Sequence, residues 1–159
     1  MFGCLAFAGD SEHLSSFTLR DQYKEETTFE FPRENVVVFL VSGRRGSELA
    51  NRWVDPLVTR FGESIAIQGV ASLHSLPAFS RGLVRPFIAR ITQHPVLLDW
   101  EGTFPRPEKK GMLIRVVEPC GHLIDLNVGE PSKDEVERVS QSIRKALQTV
   151  TCQHSSEMN

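Results

Sequence analysis

Several short apolar runs along this chain have the pattern that is typical of β-strands. Val36–Val41 contains six apolar residues without a break, which is typical of a strand buried on both faces of a sheet. Ile65–Ala71 predicts a second buried strand, and Val96–Asp99 predicts a short third one. Phe17–Phe31 has two β-prone pieces around a polar centre, so it predicts a hairpin before the first buried strand.

Helical spacing separates these strands. Ser47 is a suitable N-cap residue for a first helix, Pro56 predicts a kink within it, and Gly62 predicts its end. The apolar positions of that helix are Leu49, Trp53, Leu57 and Phe61. A second helix is predicted over Pro77–Ile91, although Pro86 interrupts it. Its large apolar residues, at intervals of four, are Phe79, Leu83, Phe87 and Ile91.

The last third of the chain predicts two strands and a helix. Met112–Val128 gives a strand pair around a turn at Glu118–Gly121. Ser132 and Glu135 stand three residues apart, as in a capping box at a helix start. The apolar stripe of the closing helix is Val136, Val139, Ile143, Leu147 and Val150.

Alternating strands and helices followed by a strand pair predict an α/β fold. We expect a three-layer α/β/α domain with a mixed sheet and an N-terminal β-hairpin. A chain of 159 residues is long enough for one such domain, which we assign to residues 14–150. Residues 1–13 are predicted to be a flexible N-terminus or the remnant of a signal peptide, because Ala6-Phe7-Ala8 matches an A-x-A cleavage pattern. Residues 151–159 are predicted to be a disordered tail.

Composition excludes several classes of partner. A formal net charge of −2 gives no reason to expect nucleic acid, and no apolar run reaches the roughly 18 residues that a membrane span requires. The three cysteines form no C-x-x-C motif, and Cys120-Gly121-His122 supplies only two metal ligands across a turn. We therefore predict no metal and no cofactor. The sequence leaves two compartments open, namely the cytoplasm and, if the first residues are the end of a signal peptide, an exported or periplasmic location.

The bend after the first buried strand is the main candidate site. It consists of Ser42, Gly43, Arg44, Arg45, Gly46 and Ser47. The N–H groups of a helix N-terminus, two arginines and two hydroxyls suit a small anionic ligand or an acidic group of a protein partner. The spacing is not that of a Walker loop. The alternative is that Ser47 only caps the helix while the arginines pair with Glu48, Asp55 or solvent, and the sequence favours this alternative.

Two other polar groups are weaker candidates. Asp99 and Glu101 flank Trp100 and could form an acid/base pair, but an ordinary solvated turn at a strand end is the favoured interpretation. Arg81 and Arg85 stand one helical turn apart, a pattern more typical of a solvated face than of nucleic-acid binding.

The order of these motifs resembles the thioredoxin-like superfamily, and its redoxin or peroxiredoxin branch in particular. Phe17–Phe31 resembles the redoxin entry hairpin, and Val36–Ala50 resembles the central strand that leads into the active-site turn. His94–Trp100 is similar to the family's P-x-L-x-D strand, and Met112–Ile124 is similar to its final hairpin. The resemblance spans roughly Phe17 to Val150 and implies the fold.

The residues that carry the family's chemistry are absent. Alignment on the central strand places Arg45 and Glu48 at the two thiol positions of the C-x-x-C motif. No cysteine stands slightly further along, where a peroxiredoxin has its nucleophile, and no proline stands near Lys110–Leu113, where the family commonly has a cis-proline. The resemblance therefore implies the fold without the family's redox chemistry.

The implied topology places Cys120 and Cys152 at the pole opposite the bend. A strand rises about 3.3 Å per residue, so Cys120 lies on the order of 20 Å from the bend. A disulfide between the two cysteines is one alternative if the protein is exported, but reduced, partly buried thiols are the expected state.

Two classes of function follow. The favoured one is a redox-inactive binding or interaction module whose partner is a protein or a small anionic ligand. The alternative is an enzyme, either a thiol oxidoreductase or peroxidase using a displaced cysteine, or a non-thiol activity built on the arginine-rich bend. The lack of a nucleophile at the expected turn argues against the enzyme.

Overall fold

The computed structural model of the chain describes residues 13–43, 47–108, 110–149 and 152. The helices and strands, in chain order, are β1 (Phe17–Asp21), β2 (Glu26–Phe29), β3 (Val36–Ser42), α1 (Ser47–Phe61), β4 (Ile65–Ser72), α2 (Arg81–Ile91), β5 (Val96–Asp99), β6 (Met112–Val117), β7 (Leu123–Val128) and α3 (Lys133–Leu147). This is the predicted order. Most of the predicted flexible N-terminus (1–13) and of the predicted tail (151–159) lies outside the described residues.

All seven strands form one mixed sheet with the order β2-β1-β5-β4-β3-β6-β7. Strands β3, β4 and β5 are parallel, whereas the two hairpins at the edges add antiparallel strands. Strand β3 lies between β4 and β6, and all seven of its residues are buried, as its apolar run predicts. The predicted thioredoxin-like α/β fold with a mixed sheet and an N-terminal hairpin is confirmed.

The three helices contact the same face of the sheet. Residues on one side of β3, such as Val38, pack with α1 and α3. Helix α2 packs through Ile88 on Ala71 and Leu98, and Ala71 shares its face with Ile67, which contacts the α1 and α3 cluster. The crossovers β3-α1-β4 and β4-α2-β5 step in the same direction across the sheet, so the right-handed rule puts both helices on one side.

Aromatic side chains form the layer on the opposite face. Phe39 of β3 lies 5.0 Å from Phe29 of the entry hairpin and 5.0 Å from Phe104 of the loop after β5, measured between ring centroids. Phe17 and Leu14 join the same cluster. Among the described residues this layer comes from the hairpin and from loops, whereas the sequence pattern predicts helices on both faces.

Helix α3 begins as predicted, with one difference in its cap. The Ser132 hydroxyl accepts a hydrogen bond from the backbone N–H of Glu135 (3.3 Å). The Glu135 carboxylate pairs with Arg138 instead of returning to the cap. The helix is tied to α1 because Arg60 of α1 donates to Glu137, which also accepts from Arg144. These two hydrogen bonds lower the pKa of the Glu137 carboxyl.

Candidate functional site

The candidate site lies where β3 ends and α1 begins. Ser42 is buried between Ala71 of β4 and Met112 of β6, which are its neighbours in the sheet. Gly43 follows it, and a Cβ atom at this position would lie 3.7 Å from the Pro107 ring. The apolar run of β3 thus ends in the middle of the sheet, and α1 begins at Ser47 after four intervening residues, as the resemblance implies.

The structure does not test the predicted anion site. Arg44, Arg45 and Gly46 lie outside the described residues, and Ser47 is described only as the first residue of α1. The anion site therefore stays a prediction. In the described part, β3 ends at Ser42 and α1 begins at Ser47.

The first turns of α1 hold a small charge network. Glu48 is 4.0 Å from Arg52, and Arg52 also forms a closer ion pair with Glu130 before α3 (2.5 Å). The hydrogen bond that Arg52 donates to the Glu130 carboxylate raises the pKa of Arg52. Below this network, the Trp53 indole N–H donates to the Gly129 carbonyl (2.8 Å), which fixes the helix against the end of β7. The first turns of α1 are therefore joined to the segment between β7 and α3 by an ion pair and by a hydrogen bond.

A shallow depression opens beside the turn. Its volume is about 220 Å³. Met112 links it to the turn, because this residue pairs with Ser42 on one side and with Val128 on the other. The lining residues are Glu108, Lys110, Gly111, Met112, Asn127, Val128 and Gly129. A small polar group, rather than a large apolar ligand, fits such an open and mixed-charge surface.

The start of β6 leaves no space for a larger residue at Gly111, within the segment where the resemblance implies a cis-proline. A Cβ atom on Gly111 would lie 2.7 Å from the carbonyl oxygen of Val128, so no larger residue fits there without a shift of the backbone. The cis peptide bond within the described residues is at Phe31–Pro32 instead. Strand β6 therefore approaches β7 closely at the point where related folds present a proline.

The two displaced cysteines lie at the other end of the sheet. Strand β6 begins beside Ser42 and ends with Val117 beside Val37, so the turn that carries Cys120 is at the opposite pole, as predicted. The expectation of reduced thiols is wrong, because Cys120 and Cys152 form a disulfide with their Cα atoms 5.2 Å apart. Helix α3 ends at Leu147 near this turn, which brings Cys152 within reach.

A pair of histidines beside the disulfide was missed by the sequence reasoning. His13 and His122 are cross-strand neighbours with ring centroids 5.4 Å apart. The Nε2–H of His13 donates to the Cys120 carbonyl (2.6 Å). Residues this far apart in the chain show no ligand spacing, so only the tertiary fold reveals the pair. Within the described ranges no group of three or more His, Cys, Asp or Glu residues is arranged to hold a metal ion.

Asp99 and Glu101 do not form an acid/base pair. Asp99 is fully buried and accepts hydrogen bonds from the backbone N–H groups of Gly102, Thr103 and Phe104 (2.9–3.0 Å). Glu101 is exposed and lies 3.6 Å from Arg81. Both oxygens of Asp99 hold the loop that places Phe104 over the sheet, so its function is structural.

Asp99→Asn is expected to lower the free energy of unfolding by about 2 kcal/mol, because the amide N–H₂ would face a backbone N–H of the loop. Urea denaturation of the variant measures the change. Glu101→Gln, which alters an exposed carboxylate of the same loop, serves as the control and is expected to stay within about 0.5 kcal/mol of wild type. Equal stability of Asp99→Asn and wild type would contradict the structural function.

Arg81 is not a freely solvated residue. Its guanidinium lies 5.0 Å from the Trp100 ring centroid and contacts Glu101, so the start of α2 is joined to the loop after β5. Arg81 and Arg85 therefore do not form the predicted solvated strip, because Arg81 packs on the Trp100 ring.

Among the described residues no helix is both long and apolar enough to cross a membrane. No protein-family model matches the chain, and no curated protein matches it. Solved structures do match. The exposed lipoprotein thioredoxin Etrx1 of Streptococcus pneumoniae superposes with a TM-score of 0.61 at 13% identity, covering 82% of this chain and 99% of that one.

Two further structures have the same fold. A protein of Chlorobium tepidum named as the thiol:disulfide interchange protein DsbE gives a TM-score of 0.59 at 14% identity, covering 86% of this chain and 96% of its own. A protein of Neisseria meningitidis named as a thioredoxin gives a TM-score of 0.56 at 17% identity, and the match covers 93% of this chain and 94% of that one. The resemblance to the thioredoxin-like superfamily is confirmed at the level of the fold, and identities this low show no more than that.

Proposed function

We propose that the chain is a thioredoxin-like interaction module without thiol chemistry at the turn where related folds carry it. The observation that carries the proposal is the position of its paired cysteines. The Cys120–Cys152 disulfide lies at the pole opposite the β3–α1 turn, and the two thiol positions of the turn hold Arg45 and Glu48. The helix start remains available for an anionic or acidic partner.

A redox assay tests this proposal directly. Wild-type protein is expected to give no insulin reduction with dithiothreitol and no peroxide consumption with a thiol reductant above the uncatalysed rate. The double variant Arg45→Cys/Glu48→Cys, which restores a C-x-x-C spacing at the helix start, is expected to gain insulin reductase activity, because a helix N-terminus lowers a thiol pKa. Wild-type turnover that disappears in Cys120→Ser would refute the proposal.

One observation favours a second candidate, the displaced-thiol oxidoreductase. Cys120 and Cys152 are only partly buried, and His13 contacts the Cys120 carbonyl. Such an enzyme would take two electrons and two protons from a dithiol donor and pass them to a substrate disulfide. The turn that holds Cys120 offers no helix N-terminus to stabilise its thiolate, so we place this candidate second. The same insulin assay decides between the two.

The anion site at the turn is tested by charge removal. In Arg44→Ala/Arg45→Ala, binding of inorganic phosphate or of an acidic peptide is expected to fall at least about tenfold, because both fixed charges are lost. Isothermal titration calorimetry measures the change. Arg144→Ala/Lys145→Ala removes the same charge from the last turn of α3 and is the matched control. Equal phosphate binding in wild type and in the turn variant would rule out the site.

The disulfide also bears on the compartment. Disulfides persist in oxidising compartments and are rare in the cytosol, so of the two predicted locations the exported one is favoured.

A further inference from the structure

The outer face of α2 carries an apolar stripe that no described residue covers. It consists of Phe79, in the turn before the helix, and of Leu83, Phe87 and Ile91, whose exposed fractions are 85%, 74%, 60% and 49%. The sequence predicts these residues as one helix face, but that face points away from the sheet. Together they expose about 500 Å² of apolar surface, which is as large as the biggest patch on a typical monomer.

The stripe lies in a positively charged segment of a chain whose net charge is negative. Between Glu63 and Asp99 the sequence has no Asp or Glu, whereas α2 carries three arginines and the whole chain has a net charge of −2. Arg90 projects on the stripe side of the helix, about 20° from Leu83 at 100° per residue. Neither Arg85 nor Arg90 has an ion-pair partner within the described part of the chain.

The spacing of the stripe indicates which kind of surface can pack against it. Residues at intervals of four form one ridge of a helix surface, and such a ridge packs into the groove between the ridges of a facing helix. Arg90 beside the ridge would be left without a counter-charge unless the facing surface supplies a carboxylate. We propose that α2 docks an amphipathic helix of another protein whose apolar ridge is flanked by Glu or Asp.

Two other occupants fit the charges less well. A second copy of this chain would bring no carboxylate of its own α2 to Arg90, because the sequence has no Asp or Glu between Glu63 and Asp99 and Glu101 is already beside Arg81. An anionic bilayer would accept the apolar side chains, but Arg90 lies on the inserted side, whereas interfacial helices keep their basic residues on the opposite face.

A displayed library of helical peptides tests the proposal. The apolar positions are fixed at intervals of four, and the flanking positions are drawn from Glu, Lys and Ser. Selection on the wild-type protein is expected to enrich Glu at the flanks, whereas enrichment of Lys or Ser, or no enrichment, would overturn the proposal. An enriched peptide is then synthesised, and fluorescence anisotropy is expected to show binding at least about tenfold weaker to Leu83→Ser/Phe87→Ser.

Matched variants and two further measurements complete the test. Tyr23→Ser and Val58→Ser remove half-exposed large side chains (49% each) from other parts of the surface and are expected to leave peptide binding unchanged. Arg90→Gln is expected to weaken it about threefold to tenfold, as for one lost ion pair. Sedimentation velocity showing a dimer that Leu83→Ser/Phe87→Ser dissociates would overturn the proposal. Flotation with phosphatidylglycerol vesicles that the same variant abolishes would do so as well.

This surface lies on α2 and not at the β3–α1 turn. Thiol activity in the insulin assay would therefore refute the proposed function without contradicting the proposal for α2. A failed peptide selection would overturn the proposal for α2 without contradicting the proposed function.

Discussion

Loss of the Cys120–Cys152 disulfide is expected to lower the free energy of unfolding by about 3.5 kcal/mol, because the bond closes a loop with a sequence separation of 32 residues and restricts the unfolded chain. For a domain of this size, that is a large fraction of the whole stability. The bond also joins the chain after α3 to the turn between β6 and β7, so α3 and the sheet are linked covalently as well as by packing.

Urea denaturation of oxidised and reduced protein measures this contribution. The wild-type midpoint is expected to fall in dithiothreitol, whereas Cys120→Ser, Cys152→Ser and the double variant are expected to have the reduced wild-type midpoint under both conditions. Cys4→Ser leaves the pair intact and is expected to behave as wild type. A wild-type midpoint that is the same with and without reductant would contradict the disulfide's stabilising effect.

A stability effect alone does not distinguish a structural disulfide from a catalytic one. The distinction comes from pairing this measurement with the insulin assay. A structural bond changes the midpoint and leaves the assay at background, whereas a catalytic one must also turn over with the donor dithiol. The location of the disulfide, far from any helix N-terminus that could stabilise a thiolate, is the physical reason to expect the structural outcome.

Local patterns in the sequence predict most of the fold. The unbroken apolar run of β3 predicts a central strand, and the Ser132 cap with Val136 and Val139 predicts α3, because these signals depend on residues a few positions apart. The order of elements then restricts the topology to a few arrangements. The position of Cys120 at the far pole follows from that topology alone.

In helix α2 the periodicity of apolar residues does not identify the buried face. Leu83 and Phe87 are four residues apart, and so are Val84 and Ile88. Both pairs fit a buried helix face, and only the sheet below decides that Val84 and Ile88 face inward. The exposed stripe could not be found from the sequence for this reason. The candidate site itself stays the least determined part, since Arg44, Arg45 and Gly46 lie outside the described residues.

A buried charge pair depends on the exact register of the last hairpin. The predicted turn at Glu118–Gly121 would place Arg115 opposite Ile124. The observed turn extends to His122 and places Arg115 opposite Asp125 on the next strand. Arg115 is the single charged residue of β6 and only 4% exposed. Its Nε and Nη2 donate to the two carboxylate oxygens of Asp125 at 2.7 Å each, and its guanidinium lies 5.3 Å from the Phe104 ring centroid.

Arg115→Leu is expected to lower the free energy of unfolding by about 3–5 kcal/mol, because the partner carboxylate is left without its counter-charge in a largely buried position. Asp125→Leu is expected to have an effect of similar size, since it leaves the buried guanidinium unpaired. The double variant Arg115→Leu/Asp125→Leu is expected to recover most of the loss, as apolar residues of similar volume can replace a buried ion pair. Urea denaturation of all four proteins gives the coupling energy.

The entry hairpin supplies the matched control for this cycle. Arg20 and Glu26 are also cross-strand partners in an ion pair, but their side chains are 57% and 56% exposed. Water and salt screen such a pair, so its coupling energy is expected to stay below about 1 kcal/mol. The two cycles therefore compare one interaction at two depths of the same sheet. A coupling energy for Arg115 and Asp125 no larger than that of Arg20 and Glu26 would show that burial does not strengthen the inner pair.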